Sequence, residues 1–161
     1  MLKGTPCLDL DSLSEPRYAL EIFVIVRKIN RTEEISLKRY ATIDIGSNTI
    51  LLLIGRVTAQ GVFEVVFDGG ETTRLGRELQ NKKKLDPVSV QKSIEVLKKF
   101  VSLCQREGVV ETACVGTNAL RLAADTDQFI QQVQKECGVT PRVIDEKEEA
   151  LFSYLSVQHD P

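Results

Sequence analysis

The run "TILLLIGRV", Thr49 to Val57, constrains the fold more than any other stretch of the chain. Residues 50–54 are apolar without a break. That is the pattern of a central strand covered on both faces, because a strand with one wet face alternates apolar and polar residues. The cover has to be helical. "YATIDI" precedes this run across Gly46, Ser47 and Asn48, and "GVFEVVFDG" follows it across Ala59, Gln60 and Gly61, so three strands in meander order are expected.

Helices of the right kind follow. In "LDPVSVQKSIEVLKKFVSLCQREG", Asp86 is placed to cap, Pro87 suits the first helical position and Gly108 suits a left-handed residue past the end. Val90, Ile94, Leu97, Val101 and Cys104 form one apolar stripe, while Lys92, Lys98, Lys99 and Arg106 fall largely off it and read as a solvated face. "VETACVGT" reads as a strand. A second helix, capped by Asp125 or Thr126 and turning Phe129, Ile130, Val133 and Cys137 inward, ends at Gly138. "TPRVI" is a further strand, and "EKEEALFSYLSV" a helix with Leu151, Tyr154 and Leu155 at core spacing. The order β-β-β-α-β-α-β-α describes an α/β domain, a mixed sheet with helices on its faces. Ligands dock at one end of such sheets. The Asp44 loop and the segments after Val115 and Ile144 all leave strands and can meet there.

Length and charge narrow the function. At 161 residues the chain suits one core plus an extra segment. That segment is residues 1–39, an N-terminal extension broken by Gly4, Pro6 and Pro16, in which "YALEIFVIVRKIN" fits neither the helical nor the strand period. Residues 40–161 carry the regular pattern. The formal charge is -2, so no global field attracts nucleic acid or an anionic membrane, and any anion site has to be local. No apolar run reaches the roughly 18 to 20 residues of a membrane helix, and the start lacks a basic signal region, so a cytoplasmic protein is expected. Cys7, Cys104, Cys114 and Cys137 form no CxxC pair and read as reduced, mostly buried thiols. His159, the only histidine, lies near the chain end, which argues against an internal histidine base or a His-rich metal site.

Three segments carry candidate chemistry. "DIGSN" is either an ordinary hairpin turn or a loop whose backbone N–H groups, hydroxyl and amide face a phosphate oxygen. Asp44 repels phosphate but can hold Mg²⁺ or orient a water. In "VGTNALRLAADTDQF", Thr117 and Asn118 offer short polar donors where a strand gives way to a helix, and Arg121 offers a planar fork for phosphate oxygens; a helix cap with a surface arginine explains the same residues. In "VIDEKEEALF", Glu148 and Glu149 open a helix, where acidic residues complement the helix dipole.

Together these segments resemble the exopolyphosphatase and guanosine pentaphosphate phosphohydrolase (Ppx/GppA) family of the actin-like ATPase superfamily. The likeness runs from about Tyr40 to Val157: "DIGSNTILLLI" is similar to its first phosphate loop, "TRLGREL" to its following turn, "VGTNALRLA" to its T-x-x-L-R segment and "VIDEKEEA" to its catalytic-glutamate segment. The resemblance implies a ribonuclease-H-like lobe and Mg²⁺-dependent attack of water on the terminal phosphoryl of inorganic polyphosphate or guanosine pentaphosphate. It also implies roles: Glu149 as general base, Asp44 as metal carboxylate, Gly46, Ser47 and Asn48 as phosphate cradle, and Arg121 as the grip on the polyanion, while Thr117 and Asn118 stand as further phosphate donors on their own chemistry. A sugar-kinase or chaperone-type ATPase lobe shares the first loop but does not predict the other two segments at these distances.

Two departures from the family pattern matter. Asp145-Glu146 stands where the family usually has Ser-Gly, which adds negative charge beside a phosphate site. The family's second glycine-rich phosphate loop, of D-I-G-G-G-S type, has no counterpart before Pro161. The expectation is therefore an N-terminal lobe with little or no hydrolase activity by itself, either an inactive truncated lobe or a phosphate-binding module. A second copy of the chain or a separate C-terminal lobe is the partner that would complete the cleft.

Overall fold

The computed structural model describes residues 38–58 and 63–150. Its five strands are β1 (Arg39–Ile45), β2 (Thr49–Val57), β3 (Phe63–Thr72), β4 (Val109–Gly116) and β5 (Arg142–Val143). They form one sheet in the order β3-β2-β1-β4-β5. β2 runs antiparallel to both neighbours, whereas β4 is parallel to β1 and β5 to β4. Four described helices interleave with them: α1 (Leu79–Lys82), α2 (Pro87–Arg106), α3 (Asn118–Leu122) and α4 (Thr126–Cys137). Residues 146–150 begin a further helix. The expected α/β order is present, and the strand order with only β2 reversed is that of a ribonuclease-H-like lobe. No described helix is long and apolar enough to cross a membrane.

Of the expected extension, residues 1–37 lie outside the described residues, as do Cys7, the turn at 59–61, Leu151, Tyr154, Leu155 and His159. Arg39 already belongs to β1, where its Nη1 donates to the Glu107 carboxylate at 2.9 Å.

Register explains the core. Ala41 pairs with Ile54, Ile43 with Leu52 and Ile45 with Ile50, so six apolar residues share one sheet face, all buried. Ile94, Leu97 and Phe100 of α2 and Phe129 and Val133 of α4 close over that face in a single cluster. Burial of each such side chain contributes about 1.5–3 kcal/mol. β2 is not the central strand; β1 is, with β2 between it and the edge strand β3. On the opposite face Leu53 is buried but Leu51 is 37% exposed, so cover there is partial despite the unbroken apolar run.

The long helix follows its local signals closely. Asp86 caps α2, its carboxylate accepting from Ser89 N at 2.9 Å; Pro87 opens the helix and Gly108 takes a positive φ of 64° beyond it. The stripe is wider than the spacing implied. Ser93, Val96 and Phe100 are buried as well, because α2 packs against both the sheet and α4. Lys98 and Lys99 lie on the exposed side and pair with Glu136 and Glu71.

Three expectations change. Asp125 stands at the N-terminus of α4, yet its carboxylate accepts from Leu85 N at 3.0 Å instead of capping, and Thr126 donates to the Leu120 and Ala123 carbonyls. Ile130 is only partly buried, while Phe129, Val133 and Cys137 face the core. The "TPRVI" strand shrinks to Arg142–Val143, since Pro141 has no N–H to donate to a ladder and the chain turns into a helix after Ile144. Cys104, Cys114 and Cys137 are free thiols, all buried.

Candidate functional site

Parallel strands end on the same side of a sheet, and here three of them deliver the three singled-out segments to one place. Asp44 pairs with Val115 and Ile45 with Gly116, so β1 and β4 finish level; Gly116 in turn pairs with Val143. Thr117 N donates to Ile45 O at 3.3 Å and Ile144 N to Gly116 O at 3.0 Å, stitching the strand ends together just where the loops depart.

The first loop is a tight hairpin. Gly46 N donates to Thr49 O at 3.1 Å, and a Cβ on Gly46 would stand 2.9 Å from that same backbone oxygen, so the turn closes only around glycine. The N–H groups of Ser47 and Asn48 meet no acceptor among the described residues. Their carbonyls are taken: Asn48 O accepts from Thr73 N and Arg74 N, both at 2.9 Å, and Ser47 O accepts from Gly76 N at 2.8 Å. The "TRLG" segment therefore braces the loop from behind. Gly76 makes this approach possible, because a Cβ there would meet Ser47 Cβ at 3.0 Å. Arg74 adopts a left-handed φ of 59° to complete the turn. Nothing in the spacing of residues 73–76 predicts this bracing role; a glycine soon after a strand that follows the loop is its one local sign.

Asp44 sits at the end of β1 with Oδ1 sealed from solvent and without a hydrogen-bond partner among the described residues. Burial first, and the nearby Glu149 charge second, push its carboxyl up to about 6. Thr42, two residues earlier on the same sheet face, and Thr73 also bury hydroxyls that find no partner among the described residues.

Thr117 is buried at the turn into α3, its carbonyl accepting from Leu120 N and Arg121 N; Asn118 is exposed. Arg121 then reaches across to the third segment. Its Nη1 donates to Ile144 O at 2.9 Å and forms an ion pair with Glu149 Oε2 at 2.7 Å. Arg121 is thus tied to the glutamate expected to act as base.

The helix carrying Glu149 is started by a reciprocal pair. Asp145 Oδ1 accepts from Glu148 N at 2.8 Å while Asp145 N donates to Glu148 Oε2 at 3.3 Å, a capping box. Arg142 donates to Glu148 Oε1 at 2.8 Å, and this bond, ahead of the one from Asp145 N, holds Glu148 below the usual carboxylate range. The two adjacent glutamates therefore divide: Glu148 fixes the helix start, and Glu149 faces Asp44 and Arg121. The charge of Asp145 serves the helix N-terminus.

Among the described residues no cluster of three or more His, Cys, Asp or Glu is arranged as a metal site. A magnesium ion asks less of the protein, often one or two carboxylates with phosphate and water completing the shell. The sealed, unpartnered Oδ1 of Asp44 suits a hard cation of that kind.

The sequence profile of the Ppx/GppA phosphatase family matches residues 53–160, which begins inside β2 and takes in everything after it. The chain belongs to the Ppx/GppA phosphatase family. Among solved structures, the Aquifex aeolicus Ppx/GppA family member is 30% identical, with a TM-score of 0.71 over 76% of this chain and 40% of that one. An exopolyphosphatase from Cytophaga hutchinsonii is 26% identical, with a TM-score of 0.68 over 71% of this chain and 36% of that one. The chain thus spans well under half the length of these relatives.

Proposed function

We propose that this chain forms the N-terminal half of a site that removes the terminal phosphoryl from a phosphoanhydride, inorganic polyphosphate or guanosine pentaphosphate, by attack of water. The observation that carries the reading is the convergence of the three segments at one end of β1, β4 and β5, with Asp44 and Glu149 close enough to repel. Ser47 and Asn48 offer uncommitted N–H groups to phosphoryl oxygens, and Thr117 and Asn118 offer further short donors from the neighbouring strand end. Arg121 supplies positive charge at the site itself, which the net charge of -2 does not provide as a global field.

Glu149 takes the proton from the attacking water, a task that needs a carboxylate placed within hydrogen-bond reach of it. Asp44 would hold Mg²⁺, which when bound supplies positive charge against the phosphoryl oxygens. The remaining chemistry is positioning, and the hairpin braced by residues 73–76 provides the rigidity for it.

The test is polyphosphate binding and phosphate release by the 161-residue chain in Mg²⁺, compared with Glu149→Gln. The reading predicts binding by both, and any release lowered by about 10²-fold or more in the variant. Binding with no release from the wild-type chain is the outcome expected of a half-site that needs a second lobe for turnover. No binding by either overturns the reading.

A further inference from the structure

Arg121 and Glu149 carry two assignments that conflict as they stand. One is to grip an anion and the other to accept a proton, yet they hold each other at 2.7 Å. A guanidinium neutralised by a carboxylate attracts a phosphoryl weakly, and a carboxylate neutralised by a guanidinium is a weak base. Either the pair is permanent, and neither residue performs its task, or it exchanges.

Two features of the pair favour exchange. Only Nη1 is committed, to Ile144 O and to Glu149; the Nε and Nη2 edge of Arg121 meets no acceptor among the described residues. An anion can therefore engage the fork before the glutamate lets go. The two partners differ in exposure: the Arg121 side chain is 18% exposed and also donates to the Ile144 carbonyl, whereas the Glu149 side chain is 38% exposed, on the first turn of a helix.

We propose that the Glu149 carboxylate is an internal stand-in for the ligand's phosphoryl group on Arg121, and that an anionic phosphate ligand displaces it. Arg121 stays on the Ile144 carbonyl and transfers its charge to the ligand. Glu149, released, becomes the carboxylate that receives the proton of the attacking water. Ligand arrival thus switches on the base, and Arg121 acts on Glu149 as a positioning residue. This rests on the phosphate-site reading above and goes beyond it by making the two residues competitors.

Competition predicts an effect that simple anion binding does not. Binding of tripolyphosphate is measured by calorimetry for wild type, Glu149→Gln, Arg121→Ala and the double variant, with thermal melts confirming that each is folded. Glu149→Gln is expected to bind about fivefold tighter or more, because the internal competitor is gone, and Arg121→Ala about tenfold weaker or more. In the double variant the tightening disappears.

Wild-type affinity in Glu149→Gln overturns the proposal while leaving the phosphate site standing. So does tightening of equal size without Arg121, which would be plain relief of charge repulsion. No tripolyphosphate binding by any variant overturns the phosphate-site reading itself. Should Arg121→Ala not fold for want of the Ile144 contact, Arg121→Lys replaces it, with weakened binding expected because the planar fork is lost.

Discussion

Asp44 is held where a charge is costly. Its carboxyl rises from 3.8 to about 6, and a carboxyl raised on folding stabilises the fold in its protonated form. The contribution is complete below the unfolded value of 3.8 and lost as pH rises through about 6, the reverse of an ordinary salt-bridged aspartate. Asp44→Asn keeps the shape and removes the charge. It is expected to stabilise the chain at pH 7.5 by about 1–3 kcal/mol, since raising a carboxyl's pKa by one costs its charged form roughly 1.36 kcal/mol, and to change little at pH 4. Urea melts at the two pH values check this; a loss of stability at pH 7.5 would contradict the burial account. Gly46→Ala tests the turn beside it. A Cβ forced to 2.9 Å from Thr49 O must move backbone, so a loss of about 1–3 kcal/mol is expected, with altered amide shifts at residues 46–48. Both residues stand out in the sequence as polar or small interruptions in an apolar run. The link from Arg121 to Glu149 does not, since the residues between them say nothing about which carboxylate a guanidinium will choose.

At the scale of elements, legibility follows how local the causes are. The cap of α2 is written between Asp86 and Ser89, and the helix starts where that signal places it. Asp86→Ala is expected to lower the thermal midpoint by about 2–6 °C with the fold unchanged, the usual effect of losing one cap. Asp125 carries a similar local signal, but its carboxylate is claimed by Leu85 N, 40 residues away in sequence, and no local pattern encodes that. The same holds for the width of the buried face of α2, set by α4 as a second neighbour. The box at Asp145 and Glu148 is legible in the spacing D-x-x-E, yet beside a phosphate site it reads first as surplus charge. Asp145→Ala is expected to loosen the helix start, and faster amide exchange at residues 148 and 149, by about fivefold, is the measurement that checks it.

The whole molecule is a frame for bringing three separate loops together. Parallel pairing of β1, β4 and β5 is what puts residues 44–48, 117–121 and 144–149 at a single end of the sheet, and the alternation of strand and helix after β3 forces that pairing. This much follows from the order of elements in the sequence. The bracing of Ser47 and Asn48 by residues 73–76 does not, because it depends on how far β3 runs before it turns. A competing anion surface exists: the exposed side of α2, where Lys98, Lys99, Ser102, Gln105 and Arg106 line an open cavity of about 700 Å³. Its lysines are already paired with Glu136 and Glu71, which weakens it as a binding site. Amide and side-chain shift mapping of the isotopically labelled chain, titrated with tripolyphosphate in Mg²⁺, separates the two surfaces. The account predicts that the shifts concentrate at residues 46–48, 117–121 and 149 together; shifts confined to residues 98–106, or none at all, would contradict it.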